Sequence, residues 1–457
     1  MLRLHDTSLG KLIDFSPAKP GEVSIYVCGP TVYDNAHLGH GRAALVYDIF
    51  RRYLEWKGYF VHHVSNITDV DDKIIQRAAQ ENIAPSQLAQ EYEDKWWKDM
   101  DQLNILRPTQ TPHATKYIPD MIKAISDLMD KEIAYKTPLG IYFDTTKVDG
   151  YGLLAHQNLE SLRVGQRIDL DTNKRNPIDF VLWKLSLDPN DQPNWDSPWG
   201  KGRPGWHTEC VVMSRDLLGD SFDIHAGGLD LVFPHHENER IQAKGLGSSF
   251  ARYWIHHAFV EINGEKMSKS LGNFTSLQDL LSKTDPRAFR ILVLRSHYRS
   301  PLEVTPQTIE DASSALRRLD VFANRFTNND METKIKDLDS KLVESFTSKM
   351  DEDLNTPAAL ALIFDLVRKA NAFFDSNSSK EAQFLAQHVF YFLNILGLET
   401  KPIDVEVDPF VKELIDKRNI ARSNKDFVQA DLIRDQLMEL GWMVEDGPQG
   451  TQIRLLE

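Results

Sequence analysis

Apolar positions along the chain switch between periods of about two and about 3.6 residues, and the order of those switches predicts the fold. Val23 to Val27 is a short apolar strand ending in Cys28, and Gly29-Pro30 behind it is a turn signal. After His37-Leu38-Gly39-His40, the residues Val46, Ile49, Phe50, Tyr53 and Leu54 recur at i, i+3, i+4, i+7 and i+8. That spacing predicts a helix with one apolar face. Gly58 stops it, and Phe60 to Val64 resumes as a strand. Strand, glycine-bearing turn, helix and strand form a βαβ unit whose helix N-terminus faces the ligand crevice. Free N–H groups at such an end favour phosphate. The second strand runs into a polar turn holding Asn66, Thr68, Asp69, Asp71 and Asp72. Asp71 can cap the next helix there, or the turn can face a ligand.

Further along, Ser86 to Leu103 reads as helix, and Ile118, Met121, Ile122, Ile125, Leu128 and Met129 mark another. Ile141 to Phe143 reads as a hairpin strand, and Asn173 to Lys184 ends in an apolar strand. Elements between about Leu103 and Leu185 are short and mixed, which predicts an insertion. Leu187 to Trp206 is rich in Pro, Gly, Asp and Trp and predicts a long loop. A helix follows Gly205 to Cys210. Phe222 to His225 is a strand meeting Gly227-Gly228, and Pro234 opens a helix carrying His235, His236, Glu237 and Glu239. Val260 to Ile262 is a strand, Asn263-Gly264 a hairpin signal, and Lys266 to Ser270 a basic loop. From about Thr305 to Leu398 helical periodicity dominates. Thr356-Pro357 reads as N-cap and first helical residue, with a stripe of Leu362, Leu366, Ala370 and Phe373. Residues 399–408 look like a linker. Pro409 to Glu457 forms a last module of two helices and a strand–turn–strand, with Phe410, Leu414, Leu432, Leu437, Leu440 and Trp442 as its apolar pattern.

Composition narrows the class. A chain of 457 residues should hold two to four domains. It has no run of 18 apolar residues and its start lacks an apolar leader core, so the expectation is a cytoplasmic protein with no membrane segment. The net charge of −14 speaks against bulk nucleic-acid binding but leaves room for a local surface for a structured RNA. In the last module seven Lys/Arg stand against nine Asp/Glu, so no basic patch is visible by count. The two cysteines, Cys28 and Cys210, both lie in histidine- and glycine-rich motifs. In a reducing compartment metal or catalytic roles suit them better than a disulfide.

His235 and Glu239 sit at i and i+4, on one face of a helix. Cys28 closes the first strand and Cys210 opens the helix after the long loop, so both can reach one crevice. Two thiolates, an imidazole and a carboxylate suit zinc. The same residues also read as two small buried side chains and a surface pair.

Five motifs occur in order: C-G-P-T-V-Y-D-N-A-H-L-G-H, N-I-T-D-V-D-D-K-I, G-R-P-G-W-H-T-E-C, D-I-H-A-G-G-L-D-L-V-F-P-H-H-E-N-E and K-M-S-K-S. With D-L-N-T-P-A-A-L and E-D-G-P-Q-G-T near the end, they resemble the cysteinyl-tRNA synthetase family of class I aminoacyl-tRNA synthetases over nearly the whole chain. The resemblance implies an α/β chain: a Rossmann-like, parallel-sheet catalytic domain over 1–304 with an insertion at about 103–185. A helical bundle over 305–398 and a small α+β anticodon module over 409–457 follow. It implies zinc on Cys28, Cys210, His235 and Glu239. Lys266 and Lys269 would neutralise the triphosphate of ATP, with Mg²⁺ as counter-ion, and His37 and His40 would contact it from the other side. Gly39 would lie along the nucleotide and Asp230 at its ribose. Gly29, Thr68, Trp206 and His225 would line the amino-acid pocket. H-L-G-H has Leu where the family signature has Ile, a volume-conserving change, and its fourth position varies, so less rests on His40 than on His37.

The implied reaction is ATP-dependent attachment of L-cysteine to tRNA(Cys) through an adenylate. Serine differs from cysteine by one atom, shape discriminates poorly at that scale, and a soft metal separates thiolate from hydroxyl. Expected partners are ATP, L-cysteine and tRNA(Cys), with no membrane and a single copy of the chain. Two rival readings are the cysteine ligase of mycothiol synthesis, which lacks the tRNA-binding module, and a non-catalytic paralogue that binds RNA or senses cysteine.

Overall fold

Short-period and helical segments alternate through the first half of the chain, and a parallel sheet is what such an order builds. A computed structural model of the chain describes residues 1–156, 173–188, 192–262, 265–266, 276–327, 338–401, 409–440, 442–447 and 450–455. It divides into two compact units, Met1–Lys401 and Pro402–Glu457.

The first unit begins with a hairpin, β1 (Arg3–Asp6) and β2 (Lys11–Asp14), which sequence reading did not foresee. The βαβ unit follows as β3 (Glu22–Val27), α1 (Leu38–Trp56) and β4 (Phe60–Ser65). Then come α2 (Asp72–Glu81), capped by the Asp71 side chain, and α3 (Pro85–Gln102). The inserted region holds α4 (Ile118–Asp130) and an antiparallel sheet of β5 (Ala134–Lys136), β6 (Gly140–Phe143), β7 (Phe180–Leu185) and β8 (Gly202–Pro204). β8 lies inside the stretch expected to be loop. It is three residues long and contains Gly and Pro, so it carries no periodic signal.

The chain returns through α5 (Trp206–Leu218), β9 (Ser221–Gly228), α6 (Glu237–Leu246) and β10 (Phe250–His257). Small strands β11 (Val260–Ile262) and β12 (Glu265–Lys266) pair antiparallel. Asn263-Gly264, Met267 to Ser270 and the proposed cation Lys269 lie outside the described residues. α7 (Leu277–Lys283), α8 (Pro286–Leu294) and β13 (Leu302–Glu303) complete this part. Four longer helices follow: α9 (Pro306–Thr327), α10 (Ser340–Met350), α11 (Thr356–Asp375) and α12 (Ser379–Ile395).

The main sheet has the order β10-β9-β3-β4, all parallel. From β3 the chain steps to β4 on one side, and β9 and β10 are later added on the other. The switch point therefore lies between the C-terminal ends of β3 and β9, where α/β sheets bind ligands. β10 follows a turn signal, Gly247-Ser248-Ser249, but its F-A-R-Y-W-I-H-H run has no clean alternation, so sequence reading did not foresee it.

Both faces of the sheet are covered. On one, the predicted α1 stripe of Val46, Ile49, Phe50, Tyr53 and Leu54 is buried with Ile224, Ile255, Phe289, Phe322, Ile363 and Phe392. The helices after residue 304 thus share a core with the sheet. On the other face Tyr26, Val64, Phe222 and Trp254 pack on Met121, Ile125, Val211 and Ile241. The stripe expected in α11 is shifted: Ile363 and Val367 are buried with Leu366 and Ala370, whereas Phe373 is 40% exposed. Asn355, not Thr356, caps that helix, its side chain accepting from the Ala358 N–H.

Arg290 ties the covering layer together. Fully buried, it donates to Asp48 Oδ2 on α1 (2.7 Å), to Leu103 and Asn104 carbonyls after α3 (2.7 and 2.9 Å), and to the Leu396 carbonyl after α12 (3.1 Å).

The second unit is α13 (Pro409–Ser423), α14 (Phe427–Glu439) and a hairpin of β14 (Trp442–Gly447) with β15 (Gly450–Leu455). Its small core is Val411, Leu414, Ile433, Leu437, Trp442 and Val444. Phe410, Leu432 and Leu440, expected in that core, are about half exposed at 55%, 55% and 47%. Helix periodicity located the helices but not which face turns inward.

The ends of β3 and β4 meet backbone to backbone. Gly29 N–H donates to Asn66 Oδ1 (2.9 Å), and a Cβ on Gly29 would stand 1.6 Å from the Asn66 carbonyl oxygen. No side chain fits there. Gly29→Ala is therefore expected to destabilise the first unit by about 3 kcal/mol through forced backbone movement, as read by urea unfolding; a change below about 0.5 kcal/mol would show that the two turns are not in contact. Arg290→Ala should cost roughly 3 kcal/mol, because it leaves a cavity, removes one of the two arginines that hold the buried Asp48 carboxylate and takes a shared donor from three carbonyls. Thermal melting with an unchanged midpoint would contradict the role given to Arg290.

Candidate active site

Each side chain of the site is delivered by a strand end or a helix start at the C-terminal edge of the main sheet. Cys28 directly follows β3. Cys210 lies in the second turn of α5, which starts earlier than expected, at Trp206. His235 and His236 do not sit in a regular helix opened by Pro234. They end an irregular, kinked stretch, Val232–His236, in which Phe233 is extended (φ −140°, ψ 132°). α6 then begins at Glu237 and carries Glu239 in its first turn.

These segments bring Cys28, Cys210, His235 and Glu239 together, with ligand atoms all within 4.8 Å of one another. Cys28 Sγ is 3.8 Å from Cys210 Sγ and 3.6 Å from Glu239 Oε1, and Cys210 Sγ is 3.7 Å from His235 Nε2. A tetrahedral zinc with bonds of about 2.3 Å to sulfur and about 2.0–2.1 Å to nitrogen or oxygen has edges of about 3.3–3.8 Å. The three edges that involve sulfur fall there. His235 Nε2 and Glu239 Oε1 stand closer, at 2.8 Å, as a direct ion pair that a metal would spread. By donor type and by its sulfur edges the set fits zinc. A second set, Cys28, His225, His236 and Glu239, also converges, but shares Cys28 and Glu239 with the first.

Electrostatics in the metal-free protein follow from burial. Burial pushes the Cys28 thiol up, and it donates to Cys210. That hydrogen bond, opposed by burial and helped by His235, holds Cys210 down at about 6. Burial alone would lower His235, but Glu239 and Cys210 more than reverse this and raise it to about 10. Glu239 is held at about 2, despite burial, by His235 and His225. The cluster thus keeps protons on Cys28 and His235, which a bound cation would displace.

Surrounding groups orient these ligands. His207 Nδ1 meets His235 Nδ1 at 2.8 Å, and burial holds His207 at about 3, so it accepts from His235. Trp206, part-exposed, stacks on the His235 ring at 3.9 Å. His225 Nε2 bonds Glu239 Oε2 at 2.7 Å, and its ring stacks on Trp254. His236 Nε2 lies 3.3 Å from Cys28 Sγ, and its Nδ1 bonds His256 Nε2 (2.7 Å); His256 Nδ1 in turn meets Thr7 Oγ1 (2.8 Å). Thr68 Oγ1 donates to Glu209 Oε2 (3.0 Å) and accepts from Asn66 Nδ2 (3.2 Å). Sequence reading missed the parts of His207, His236, His256, Glu209 and Asn66. The histidine doublet at 235–236 was the available signal; His256 was hidden because β10 was not recognised.

At the start of α1, His37 is the N-cap. Its Nδ1 accepts from the His40 N–H (3.2 Å), His40 Nδ1 accepts from the His37 N–H (3.3 Å), and the rings stack at 3.6 Å. Gly39 is half-buried in the first turn, and Asp230 is exposed just beyond β9. Lys266 ends β12. Among the described residues no helix is long and apolar enough to cross a membrane.

The chain resembles known proteins in sequence and in fold. Residues 14–314 match the family described as tRNA synthetases class I (C) catalytic domain, 345–400 the DALR domain, and 404–454 the cysteinyl-tRNA ligase anticodon binding domain. A cysteine--tRNA ligase of Caldicellulosiruptor saccharolyticus is 43% identical, with 100% of both chains covered. One of Fusobacterium nucleatum is 44% identical over 99% of both. A Mycobacterium tuberculosis methionyl-tRNA synthetase in complex with methionyl-adenylate superposes with a TM-score of 0.58 at 15% identity, over 82% of this chain and 89% of that one. An Agrobacterium radiobacter LeuRS in ternary complex with tRNA and LeuAMS gives 0.61 at 12%, over 84% of each. The latter two likenesses speak for the fold; the catalytic-domain match and the full-length identity decide the family, and the chain belongs to the cysteine--tRNA ligases among the class I aminoacyl-tRNA synthetases.

Proposed function

We propose that the chain activates L-cysteine with ATP and passes the cysteinyl group to tRNA(Cys), with zinc held by Cys28, Cys210, His235 and Glu239 selecting the substrate thiol. The observation that carries this reading is the convergence of those four donors at the switch point of the sheet in a chain of this family. A zinc ion bound there would supply a soft, positive seat that takes a thiolate in preference to a hydroxyl. Around it, Thr68, Trp206 and His225 shape the amino-acid pocket, and Gly29 lets the β3 turn lie flat against Asn66. His37, Gly39 and His40 at the positive end of α1 face the ATP phosphates. Lys266 and Lys269, with Mg²⁺, neutralise the triphosphate as the cysteine carboxylate attacks the α-phosphate, and Asp230 holds the ribose. The second unit grips the anticodon of tRNA(Cys). The reading places a monomer in the cytoplasm.

Cys28→Ser should raise KM for cysteine by about 100-fold while KM for ATP in pyrophosphate exchange stays within about threefold, because a ligand to the specificity metal is weakened. Equal losses for both substrates would argue against metal-based selection. Removing the second unit by ending the chain at Lys401 should leave cysteine-dependent pyrophosphate exchange within about twofold and lower tRNA charging by about 100-fold, since distant binding energy positions the acceptor end. Loss of both reactions would make the module part of the catalytic fold. Unimpaired charging would remove its tRNA role and favour the rival reading as a cysteine ligase of mycothiol synthesis.

A further inference from the structure

Arg42 is a buried cation that forms no ion pair with a carboxylate among the described residues, although the Glu261 charge on β11 favours its ionised form. Its side chain projects from the early part of α1, five residues after His37, and is 1% exposed. Nη1 donates to the Ala258 and Phe259 carbonyls (2.8 and 2.6 Å). Nη2 donates to the Tyr298 carbonyl (3.1 Å), to that of Ser300, and at 3.4 Å to that of His297. Burial holds the guanidinium down at about 10, and Nε has no partner. Burying an unpaired charge is expensive, and an apolar side chain of similar volume would fill this space at less cost. What only a guanidinium offers is a planar fork that bonds several carbonyls in fixed directions.

Those carbonyls belong to the root of the lysine hairpin. Ala258 and Phe259 immediately precede β11, which pairs with β12 and so leads to Lys266. The second carbonyl group, His297 to Ser300, lies just before β13, which pairs parallel with β11, and the Ala258 N–H donates to the Tyr298 carbonyl (2.9 Å). On the far side, where described chain resumes at Ser276, the Leu277 N–H donates to the Ala36 carbonyl (2.8 Å) and Ser276 bridges to His37. A Cβ on Gly41 would stand 3.0 Å from Leu277 and Phe289, so α1 is also seated tightly on α7 and α8. The described chain on either side of residues 267–275 is thus bonded to the start of one helix: through Arg42 on the Ala258–Phe259 side and through residues 36–37 on the Ser276–Leu277 side.

We infer that Arg42 is a positioning residue for adenylation, which sets the root of the β11–β12 hairpin, and through it Lys266, against the His37–His40 end of α1. The inference rests on the ligase reading above. It belongs to catalysis rather than to binding of cysteine, because Arg42 bonds the hairpin root and none of the four donor residues.

The test is a double-mutant cycle on the full chain, read by cysteine-dependent pyrophosphate exchange, with Arg42→Met, Lys266→Ala and the pair. Arg42→Met should lower kcat on the order of 100-fold, the scale of a misplacement of about 1 Å. KM for cysteine and zinc content should stay as in the unsubstituted chain. In the Lys266→Ala background the further loss should be below about threefold, because both substitutions then remove one interaction. Additive losses, or a kcat within twofold of the unsubstituted chain, would overturn the inference. If Arg42→Met fails to fold, Arg42→Lys, which keeps the charge but not the fork, goes through the same cycle under the same criteria. An unsubstituted chain without cysteine-dependent exchange would overturn the ligase reading itself; exchange with additive losses would overturn this inference alone.

Discussion

The carboxylate of Glu239 is fully buried, and everything around the switch point is arranged so that it can be. An isolated carboxylate in such a place would take up a proton. Here His235 at 2.8 Å and His225 at 2.7 Å keep it ionised, and Cys28 closes in at 3.6 Å. Each of those partners comes from a different segment: the end of β3, the middle of β9 and the kinked stretch Val232–His236 after it. The sheet order that juxtaposes β3 and β9 is therefore a condition of the site, and the approach of Gly29 to Asn66 draws the β4 end to the same place. Fold and site depend on one charge balance.

Buried cations play the corresponding part in the layer above. Arg290 joins α1, the end of α3 and the end of α12, and Arg42 joins α1 to the strands that lead toward Lys266. Neither is an exposed pair of small worth. Both use the guanidinium fork to bond several carbonyls of the irregular connections around α1 at once, so those connections acquire fixed geometry without secondary structure of their own. The result is a rigid N-terminal end of α1, whose cap is itself made from the two signature histidines.

Much of this was legible in the residues. The α1 stripe, the β3 and β4 strands and the α4 stripe declare themselves by period, because each has one buried face. The four zinc-type donors were legible as a set only through family resemblance, since 211 residues separate Cys28 from Glu239 and local spacing carries no information at that range. What stayed hidden has common physical causes. β8 is three residues long and wholly buried, and the strands of the β1–β2 hairpin have four residues each, so none is long enough to declare a period. β10 is buried along most of its length, and a strand covered on both faces loses the alternating pattern. His207 and His256 act only on other ligands, and nothing local distinguishes them from ordinary core histidines. In the small second unit, half of the expected core faces outward because two helices and a hairpin bury too little surface for period alone to pick the inner face.

The central claim is that the four donors hold one zinc ion, and X-ray absorption at the zinc edge of the purified, unsubstituted protein tests it most directly. The account predicts one zinc per chain with two sulfur neighbours at about 2.3 Å and nitrogen and oxygen neighbours at about 2.0–2.1 Å. Addition of cysteine should bring a third sulfur neighbour, and addition of serine should not. Protein without zinc that is fully active, or a zinc shell without sulfur, would contradict it.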